Sequence, residues 1–188
     1  EGATVYVNGR SDQRVEEAIQ KITQDHPGAT VHGVAADLST AAGAEDLFRI
    51  LPRVDILINN LGIFEPMKFE DINDEEWRRF FDTNVLSGIR LTRHYLTGMR
   101  DKNWGRVLFI SSESAVQIPV EMIHYGVTKT AQLGVSRGLA EALQGTGVTV
   151  NSILPGPTRS EGVEQFIKDM AAHQSKSEED VEKDFFKS

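Results

Sequence analysis

A tyrosine and a lysine stand four positions apart in the run Tyr125-Gly126-Val127-Thr128-Lys129. On a helix, side chains four residues apart lie on the same face. A free tyrosine has a pKa of about 10 and exchanges protons poorly near neutrality, but a nearby ammonium stabilises the phenolate and lowers that pKa. The pair therefore predicts a general acid/base, although this spacing by itself is common on helix surfaces.

Two further polar residues strengthen this interpretation. Ser112 comes directly after a strand-like run that ends near Ile110, and it precedes Tyr125 by a short stretch of chain. Asn84 interrupts an otherwise apolar helical stripe, and a buried amide must either find hydrogen-bond partners or border a cavity. For Asn84 considered alone, an amide satisfied within the core is the alternative.

Strand and helix patterns alternate along the chain. The predicted strands are Thr4–Val7, Thr30–Val34, Val54–Ile58, Arg106–Ile110 and Val148–Leu154. The predicted helices cover about Asp12–Gln24, Thr40–Leu51, Asp74–Arg100, Met122–Gln144 and Gly162–His173, and Asp71 or Asn73 is expected to cap the third. Alternating elements with strands apolar on both faces are typical of a parallel sheet covered by helices on both sides.

In open parallel sheets, ligands bind outside the carboxyl ends of the strands. Small, polar or charged residues follow all five predicted strands: Asn8-Gly9-Arg10, Asp37-Leu38-Ser39, Asn59-Asn60-Leu61-Gly62, Ser111-Ser112 and Pro155-Gly156-Pro157-Thr158. Each run alone is typical of a turn. Because all five fall on one edge of the sheet, together they predict a binding site.

These residues resemble the motif set of the short-chain dehydrogenase/reductase family. The match rests on Asn59-Asn60-x-Gly62, Asn84, Ser112 and Tyr125-x-x-x-Lys129, and it covers nearly the whole chain from Gly2 to about Gly162. The nearest-looking members are bacterial enzymes labelled as similar to 3-oxoacyl-carrier-protein reductases. The resemblance implies a Rossmann-like, doubly wound parallel sheet in a three-layer α/β/α fold. It also implies an oxidoreductase that moves a hydride between a nicotinamide cofactor and a carbonyl or alcohol.

The resemblance implies a role for each matching residue. Tyr125 would be the general acid/base, Lys129 would lower its pKa and bind the nicotinamide ribose, and Ser112 would bind the substrate carbonyl. Asn84 would hold a water in a proton relay to solvent. The residues implied to contact the cofactor are Arg10, Asp37, Leu38, Asn59, Gly62, Pro155, Gly156 and Thr158, together with Tyr125 and Lys129.

The residue after the first strand bears on the choice of cofactor. Family members that prefer NAD(H) carry an acidic residue there, which binds the ribose 2′-hydroxyl. This chain has Gly9 followed by Arg10, and a guanidinium suits the 2′-phosphate of NADP(H) in both charge and geometry. NADP(H) is therefore expected over NAD(H), with a plain surface charge as the alternative role of Arg10.

The chain departs from the family pattern in three places. Leu61 stands where the family has alanine, and it is expected to crowd the cleft. The family's glycine-rich loop, which cradles the pyrophosphate, is absent together with the central strand and helix that flank it, and so is the last strand. A sheet without its middle strand would leave backbone groups unpaired. We therefore expect residues 1–188 to be a single, incomplete dinucleotide-binding domain of a longer protein.

Composition narrows the function further. The net charge of -8 argues against nucleic acid as a main partner, because phosphate binding needs clustered Lys and Arg. The chain has no cysteine, so it has no disulfide and no thiolate metal site. No apolar run is long enough to span a bilayer. These features predict a cytoplasmic protein without a membrane or nucleic-acid partner, and the family resemblance implies a small-molecule substrate.

Two segments are expected to shape the substrate pocket: Glu113–His124 and the chain after Gly156. Glu113 would either repel anionic substrates or point to solvent, and His124 is expected to pack. Residues 157–188 are expected to form either a lid over the substrate or a solvated helix with a small apolar anchor.

The family resemblance implies a homodimer or homotetramer built on the stripe of small residues in Val127–Ala142 and on the helix Asp74–Arg100, unless both pack only on their own sheet. Two rival functions remain open. One is a dinucleotide-binding or regulatory relative without turnover, or an inactive fragment; the other is an extended relative that acts on nucleotide sugars. An intact set of Asn84, Ser112, Tyr125 and Lys129 favours the enzyme.

Overall fold

Strands and helices alternate through a computed structural model that describes residues 2–158, 161–174 and 176–186. The strands are β1 (Thr4–Gly9), β2 (Thr30–Ala35), β3 (Ile56–Asn59), β4 (Gly105–Ile110) and β5 (Val148–Ile153). The helices are α1 (Asp12–Asp25), α2 (Ala41–Ile50), α3 (Asp74–Phe81), α4 (Ser87–Asp101), α5 (Ile123–Ala142), α6 (Glu161–Gln174) and α7 (Glu178–Phe185). Each predicted strand and helix is present, and the predicted α/β class is confirmed.

The strands pair in parallel in two groups. β1 pairs with β2, while β4 lies between β3 and β5. Within the described part of the chain, no strand pairs with the other edge of β1 or of β3. Apolar side chains stay exposed on these two strands, with Val5 at 42%, Ile56 at 51% and Ile58 at 57% of their possible exposure. The family resemblance predicts an interruption at this place, because the family's central strand would lie between β1 and β3.

One apolar core nevertheless joins the two groups of strands. Val34 of β2, Phe109 of β4 and Leu91 of α4 belong to the same buried cluster. Tyr95 extends this cluster and donates its hydroxyl to the Leu51 carbonyl at 2.8 Å. Burying a large apolar side chain contributes about 1.5–3 kcal/mol, so this shared core holds the carboxyl ends of the strands in fixed relative positions.

The segment predicted as a continuous helix over Asp74–Arg100 is interrupted, and that prediction was wrong in this respect. Asn73 caps α3 by accepting from the Glu76 amide at 2.9 Å, and a π-helical turn then covers Asp82–Leu86 before α4 begins. Such turns insert one extra residue into a helix and are frequent at functional sites. Here the turn holds Asn84 almost fully buried, at 1% exposure.

A second, smaller apolar cluster joins the start of α5 to the end of the chain. It includes Met122, Phe166 of α6 and Val181 of α7, with Tyr125 and Phe186 packed against it. The predicted helix near residue 162 and the predicted apolar anchor are therefore both present. Residues 159–160, 175 and 187–188 of the proposed lid lie outside the described residues.

Within residues 2–158, 161–174 and 176–186, none of the helices combines the length and the apolar character that crossing a membrane requires.

Candidate active site

A cavity of about 320 Å³ opens where β4, α5 and the loop after β5 meet. Ser112, Tyr125 and Lys129 all line it. Ser112 is held in place because its hydroxyl accepts from the Ser114 amide at 3.1 Å, which caps a short turn after β4. Tyr125 and Lys129 lie in the first part of α5, one turn apart. The predicted acid/base pair and the predicted serine thus share one cavity.

The Tyr125 hydroxyl and the Ser112 side chain line the same cavity, and Ser112 is close enough to affect the pKa of the phenol. Burial raises the pKa of Tyr125, the Ser112 side chain lowers it, and the negative charge of Glu113 raises it. Burial is the largest of these causes, so the pKa is raised overall, contrary to the expectation of a lowered value. The phenol is thereby kept protonated, which is the state that a proton donor requires.

Lys129 lies behind Tyr125 and is almost fully buried, at 5% exposure. Its ammonium donates to the Ile110 carbonyl at 2.9 Å and lies 5.6 Å from the centre of the Tyr125 ring. Burial lowers the pKa of Lys129 to about 8. Because the ammonium donates to the Ile110 carbonyl at the end of β4, it is directed away from the phenol. This explains why Lys129 does not lower the pKa of Tyr125.

Asn84 links three parts of the site. Its Oδ1 accepts from the Ile63 amide at 2.8 Å, and its Nδ2 donates to the Ile63 carbonyl at 3.0 Å and to Thr128 Oγ1 at 2.9 Å. Its backbone carbonyl also accepts from the Gln132 side chain. Both polar atoms of the amide side chain are therefore hydrogen-bonded, and they join the loop after β3 to α5. Asn84 thus fixes the position of this loop beside the cavity.

The loop after β3 approaches the site closely at Gly62. A Cβ at this position would lie 3.4 Å from Lys129 Nζ and 3.6 Å from Asn84 Oδ1. A side chain here would therefore fill the space beside the lysine. The neighbouring Leu61 packs against the main core instead of lining the cavity. The expectation that Leu61 crowds the cleft was wrong, because its side chain turns inward.

The other predicted cofactor contacts divide into two groups. Pro155, Gly156 and Thr158 line the cavity, and Thr158 donates its hydroxyl to the Gly156 carbonyl at 2.9 Å. Asn59 does not line it: its side chain is buried and donates to Thr92 of α4 at 3.2 Å. Asn60 lines the cavity in its place.

Arg10, Asp37 and Leu38 follow β1 and β2, outside this cavity. Arg10 is exposed. The Asp37 carboxylate accepts from the Ser39 amide at 3.1 Å and from its hydroxyl at 2.7 Å, which shapes the turn after β2. The Leu38 side chain is buried in the main core and is not available to a ligand. The structure therefore leaves Arg10 and Asp37 as the accessible side chains at this part of the sheet edge.

His124 packs, as expected. It is fully buried, and its ring lies 3.9 Å from that of Phe80, centre to centre. Burial lowers its pKa, which keeps the ring neutral against its aromatic neighbours.

Comparison with known proteins identifies this arrangement of residues. A family model described as short chain dehydrogenase matches residues 1–171. An uncharacterised oxidoreductase of Bacillus subtilis, YvaG, is 47% identical over 187 residues, covering 100% of this chain and 71% of the relative. The D-beta-hydroxybutyrate dehydrogenase of Cupriavidus necator is 34% identical, covering 83% of this chain and 61% of the relative.

The chain belongs to the short-chain dehydrogenase family. By this membership it is an oxidoreductase, and the resemblance drawn from its motifs is confirmed. Among solved structures, L-sorbose reductase from Gluconobacter frateurii, complexed with NADPH and L-sorbose, has a TM-score of 0.83 at 28% identity. That match covers 92% of this chain and 66% of the reductase, and it confirms the Rossmann-like fold of the family.

Two residues at this short-chain dehydrogenase site, Thr128 and Gln132, were given no role in the prediction. Thr128 and Gln132 hold Asn84 from α5, and Ser111 donates to the Lys129 carbonyl at 2.9 Å. Thr128 and Gln132 continue the face of α5 that carries Lys129, and that face is buried although polar. The sequence signal was therefore present: polar residues recur at helical spacing with Lys129, opposite the stripe of small residues.

Proposed function

We propose that this protein is an NADP(H)-dependent oxidoreductase that interconverts a carbonyl and an alcohol, with Tyr125 as the general acid/base. One observation carries the proposal: Ser112, Tyr125 and a buried Lys129 line a single cavity. Family membership supports the reaction class, and this geometry supports the proposed role of each residue. The test is consumption of NADPH by the full-length protein with a panel of ketones and aldehydes. Absence of consumption with every compound would contradict the proposal.

The residues around the cavity fit the nicotinamide end of such a cofactor. The open space beside Gly62, which a Cβ would fill, lies next to the Lys129 ammonium. Gly156 and Thr158 form the opposite wall. Lys129 would hold the nicotinamide ribose, and the two wall residues would flank the ring. When bound, the nicotinamide supplies or accepts the hydride, while the protein provides position and electrostatics.

The chain's own groups manage the proton and the developing charge. In the direction of reduction, Tyr125 donates its phenolic proton to the carbonyl oxygen as that oxygen becomes an alkoxide. The Ser112 hydroxyl donates a hydrogen bond to the same oxygen and stabilises its negative charge. Because Asn84 fixes the Ile63 backbone to α5, it keeps the cavity wall in register with Tyr125.

Arg10 supports a preference for NADP(H). It lies just beyond β1 at the carboxyl edge of the sheet, is exposed, and has no ion pair within the described ranges. A free guanidinium at this position suits a ribose 2′-phosphate through paired, charge-assisted hydrogen bonds. The solved L-sorbose reductase, which is similar in fold, contains NADPH.

Arg10→Asp is expected to reduce kcat/KM with NADPH by about tenfold to a hundredfold, the value of one or two charged hydrogen bonds, and to raise it with NADH. Initial rates with each cofactor at a fixed ketone concentration measure the change. Lys21→Asp makes a similar change of charge on the exposed surface of α1 and serves as the control. Equal losses with both cofactors, or an unchanged NADPH/NADH ratio, would contradict the role of Arg10.

The carboxyl-terminal helices are proposed to cover the substrate. Val163 and Phe166 of α6 line the cavity, and the Phe166 ring lies 5.5 Å from that of Phe64. α7 secures α6 through Val181, which is buried in the same apolar cluster. The lid and the anchored helix, considered as alternatives from the sequence, are thus proposed to be one structure.

A homodimer or homotetramer is proposed from a groove between α4 and α5. The groove has a volume of about 930 Å³ and is lined by apolar and small residues that include Ile89, Leu96, Gly134 and Gly138. Gly134 and Gly138 are exposed, so these two small residues do not pack on the protein's own sheet, whereas Val135 and Leu139 contact the core. A second copy of the chain would present the same surface, as a twofold interface requires.

The cytoplasmic location stays a prediction.

Gly138→Arg is expected to dissociate this oligomer without disturbing the protomer, because no atom lies within 4 Å of a Cβ built on Gly138. Light scattering at micromolar concentration should give a multiple of the chain mass for the natural protein and a single chain mass for the variant. Gly138→Ala, which adds only a methyl group, is the matched control. A natural protein that is already monomeric would contradict the proposal.

A further inference from the structure

Glu113 stands out among the residues that line the cavity, because the described lining contains no other acidic side chain. Its amide donates to the Pro155 carbonyl at 3.1 Å, which fixes it beside Ser112. A Cβ built on Gly156 would lie 3.1 Å from Glu113 Oε2. The carboxylate therefore lies against the wall formed by Gly156 and faces the space between that wall and Tyr125.

The carboxylate has no hydrogen bond or ion pair with any residue that the structure describes, although the residue is half-buried. The one cation in the described lining of the cavity is Lys129, and its ammonium donates to the Ile110 carbonyl. Burial is the one cause that lowers the pKa of Lys129, so the two charges are not paired. A half-buried carboxylate without a partner is costly unless a ligand provides one.

The charge of Glu113 also affects the phenol of Tyr125. Its negative charge contributes to raising the pKa of Tyr125. The carboxylate lines the same cavity as Ser112 and Tyr125, so it lies within reach of a substrate whose carbonyl is bound there.

Apolar side chains form another part of the cavity lining. Phe64, Met122, Val163 and Phe166 form one wall, and the first two come from segments distant in sequence from α6. This wall suits a hydrocarbon body, while the single carboxylate suits one positively charged or hydrogen-bond-donating group.

We propose that Glu113 selects a substrate in which the carbonyl or alcohol is joined by a short apolar body to a protonated amine. The ammonium group would pair with the carboxylate beside Gly156, and the apolar body would lie against Phe64 and Phe166. An anionic substrate would meet an unpaired like charge, which is a repulsive means of selection. This inference rests on the proposed carbonyl–alcohol function and adds the substrate class to it.

The test uses methyl ketones of matched length that end in a dimethylammonium, an isopropyl or a carboxylate group. Dissociation constants are measured by calorimetry with the full-length protein, and kcat/KM is measured with NADPH in parallel. The ammonium ketone is expected to bind about tenfold to a hundredfold more tightly than the isopropyl ketone, the effect of one charge-assisted hydrogen bond. The carboxylate ketone is expected to bind most weakly.

Two substitutions connect this order to Glu113. Glu113→Gln should bring the ammonium and isopropyl ketones to within about threefold of each other, because the charge is lost while the shape is kept. Glu113→Lys should reverse the order and favour the carboxylate ketone. Glu121→Gln removes a carboxylate from the same loop, outside the cavity lining, and should leave the order unchanged.

The outcomes separate the two proposals. If none of the ketones is reduced, the proposed function fails, yet the dissociation constants still test the role of Glu113. If the three ketones bind equally, if none binds, or if Glu113→Gln changes NADPH affinity alone, the proposed selection by charge is overturned. In the last case the carboxylate serves the cofactor instead of the substrate.

Discussion

Tyr125→Phe is expected to lower kcat/KM for ketone reduction by about 10²- to 10⁴-fold, the usual contribution of a positioned general acid. The variant keeps the aromatic ring, which packs against the carboxyl-terminal apolar cluster and lies 6.1 Å from the Phe64 ring. It loses only the hydroxyl, at the cavity that Ser112 also lines. Folding and NADPH binding should therefore remain intact while turnover is lost.

Tyr95→Phe is the matched control, because it removes a hydroxyl from another buried tyrosine. The Tyr95 hydroxyl donates to the Leu51 carbonyl at 2.8 Å, outside the lining of the catalytic cavity. Its loss should lower the free energy of unfolding by about 1 kcal/mol and leave kcat/KM unchanged. Steady-state kinetics and urea unfolding of both variants give the comparison. More than a tenth of the activity remaining in Tyr125→Phe would show that another group donates the proton.

Lys129→Met is expected to change activity and stability in opposite directions. Burial lowers the pKa of Lys129 from 10.5 to about 8, so at neutral pH the folded protein keeps a charged group in an unfavourable place. Removing it should relieve about 3 kcal/mol, offset by about 1 kcal/mol for the unpaired Ile110 carbonyl. The variant should thus be about 2 kcal/mol more stable at pH 7, while kcat/KM falls by about 10²-fold or more.

The stability difference between Lys129→Met and the natural protein is expected to depend on pH. Below about pH 8 the lysine is charged in both the folded and the unfolded chain, and its cost to the folded state is fully present. As the pH rises from about 8 towards 10.5, the folded protein loses the proton first, and the cost disappears. The stability advantage of Lys129→Met should therefore shrink to near zero at about pH 9.5.

Urea unfolding at the two pH values measures this difference. Lys102→Met is the control, since Lys102 forms an exposed ion pair with Asp55 at 2.7 Å and should change stability by less than about 1 kcal/mol at either pH. If Lys129→Met were less stable than the natural protein at pH 7, burial would not be the dominant influence on this lysine.

Much of this fold can be read from the sequence because hydrophobic periodicity is a local signal. The strands and helices occur where apolar patterns place them. The break at Asp82–Leu86 was not predicted, because apolar residues continue at helical spacing through the π turn. The feature that distinguishes the turn is a tertiary contact, because Gln132 of α5 donates to the Asn84 carbonyl. Such a contact does not change the spacing of apolar residues in the sequence.

The site divides in the same way. Residue types and spacing were sufficient to place Ser112, Tyr125 and Lys129 at one cavity, because a helical turn and a strand end fix their relative positions. They could not show where Asn59 and Leu61 direct their side chains, which depends on the space left by α4 and the core. Nor could they show that burial outweighs charge at Tyr125, since that balance depends on how much of the chain surrounds the phenol.

Transfer of deuterium tests the central claim most directly. NADPH that carries deuterium at the hydride-donating carbon is incubated with the full-length protein and a reducible ketone, and the alcohol formed is analysed by mass spectrometry. The proposed function predicts one deuterium on the carbinol carbon, formed by the natural protein and not by Tyr125→Phe. NADPH binding without a deuterated alcohol from any carbonyl compound would contradict it, and would indicate a protein that retains this site for binding the cofactor alone.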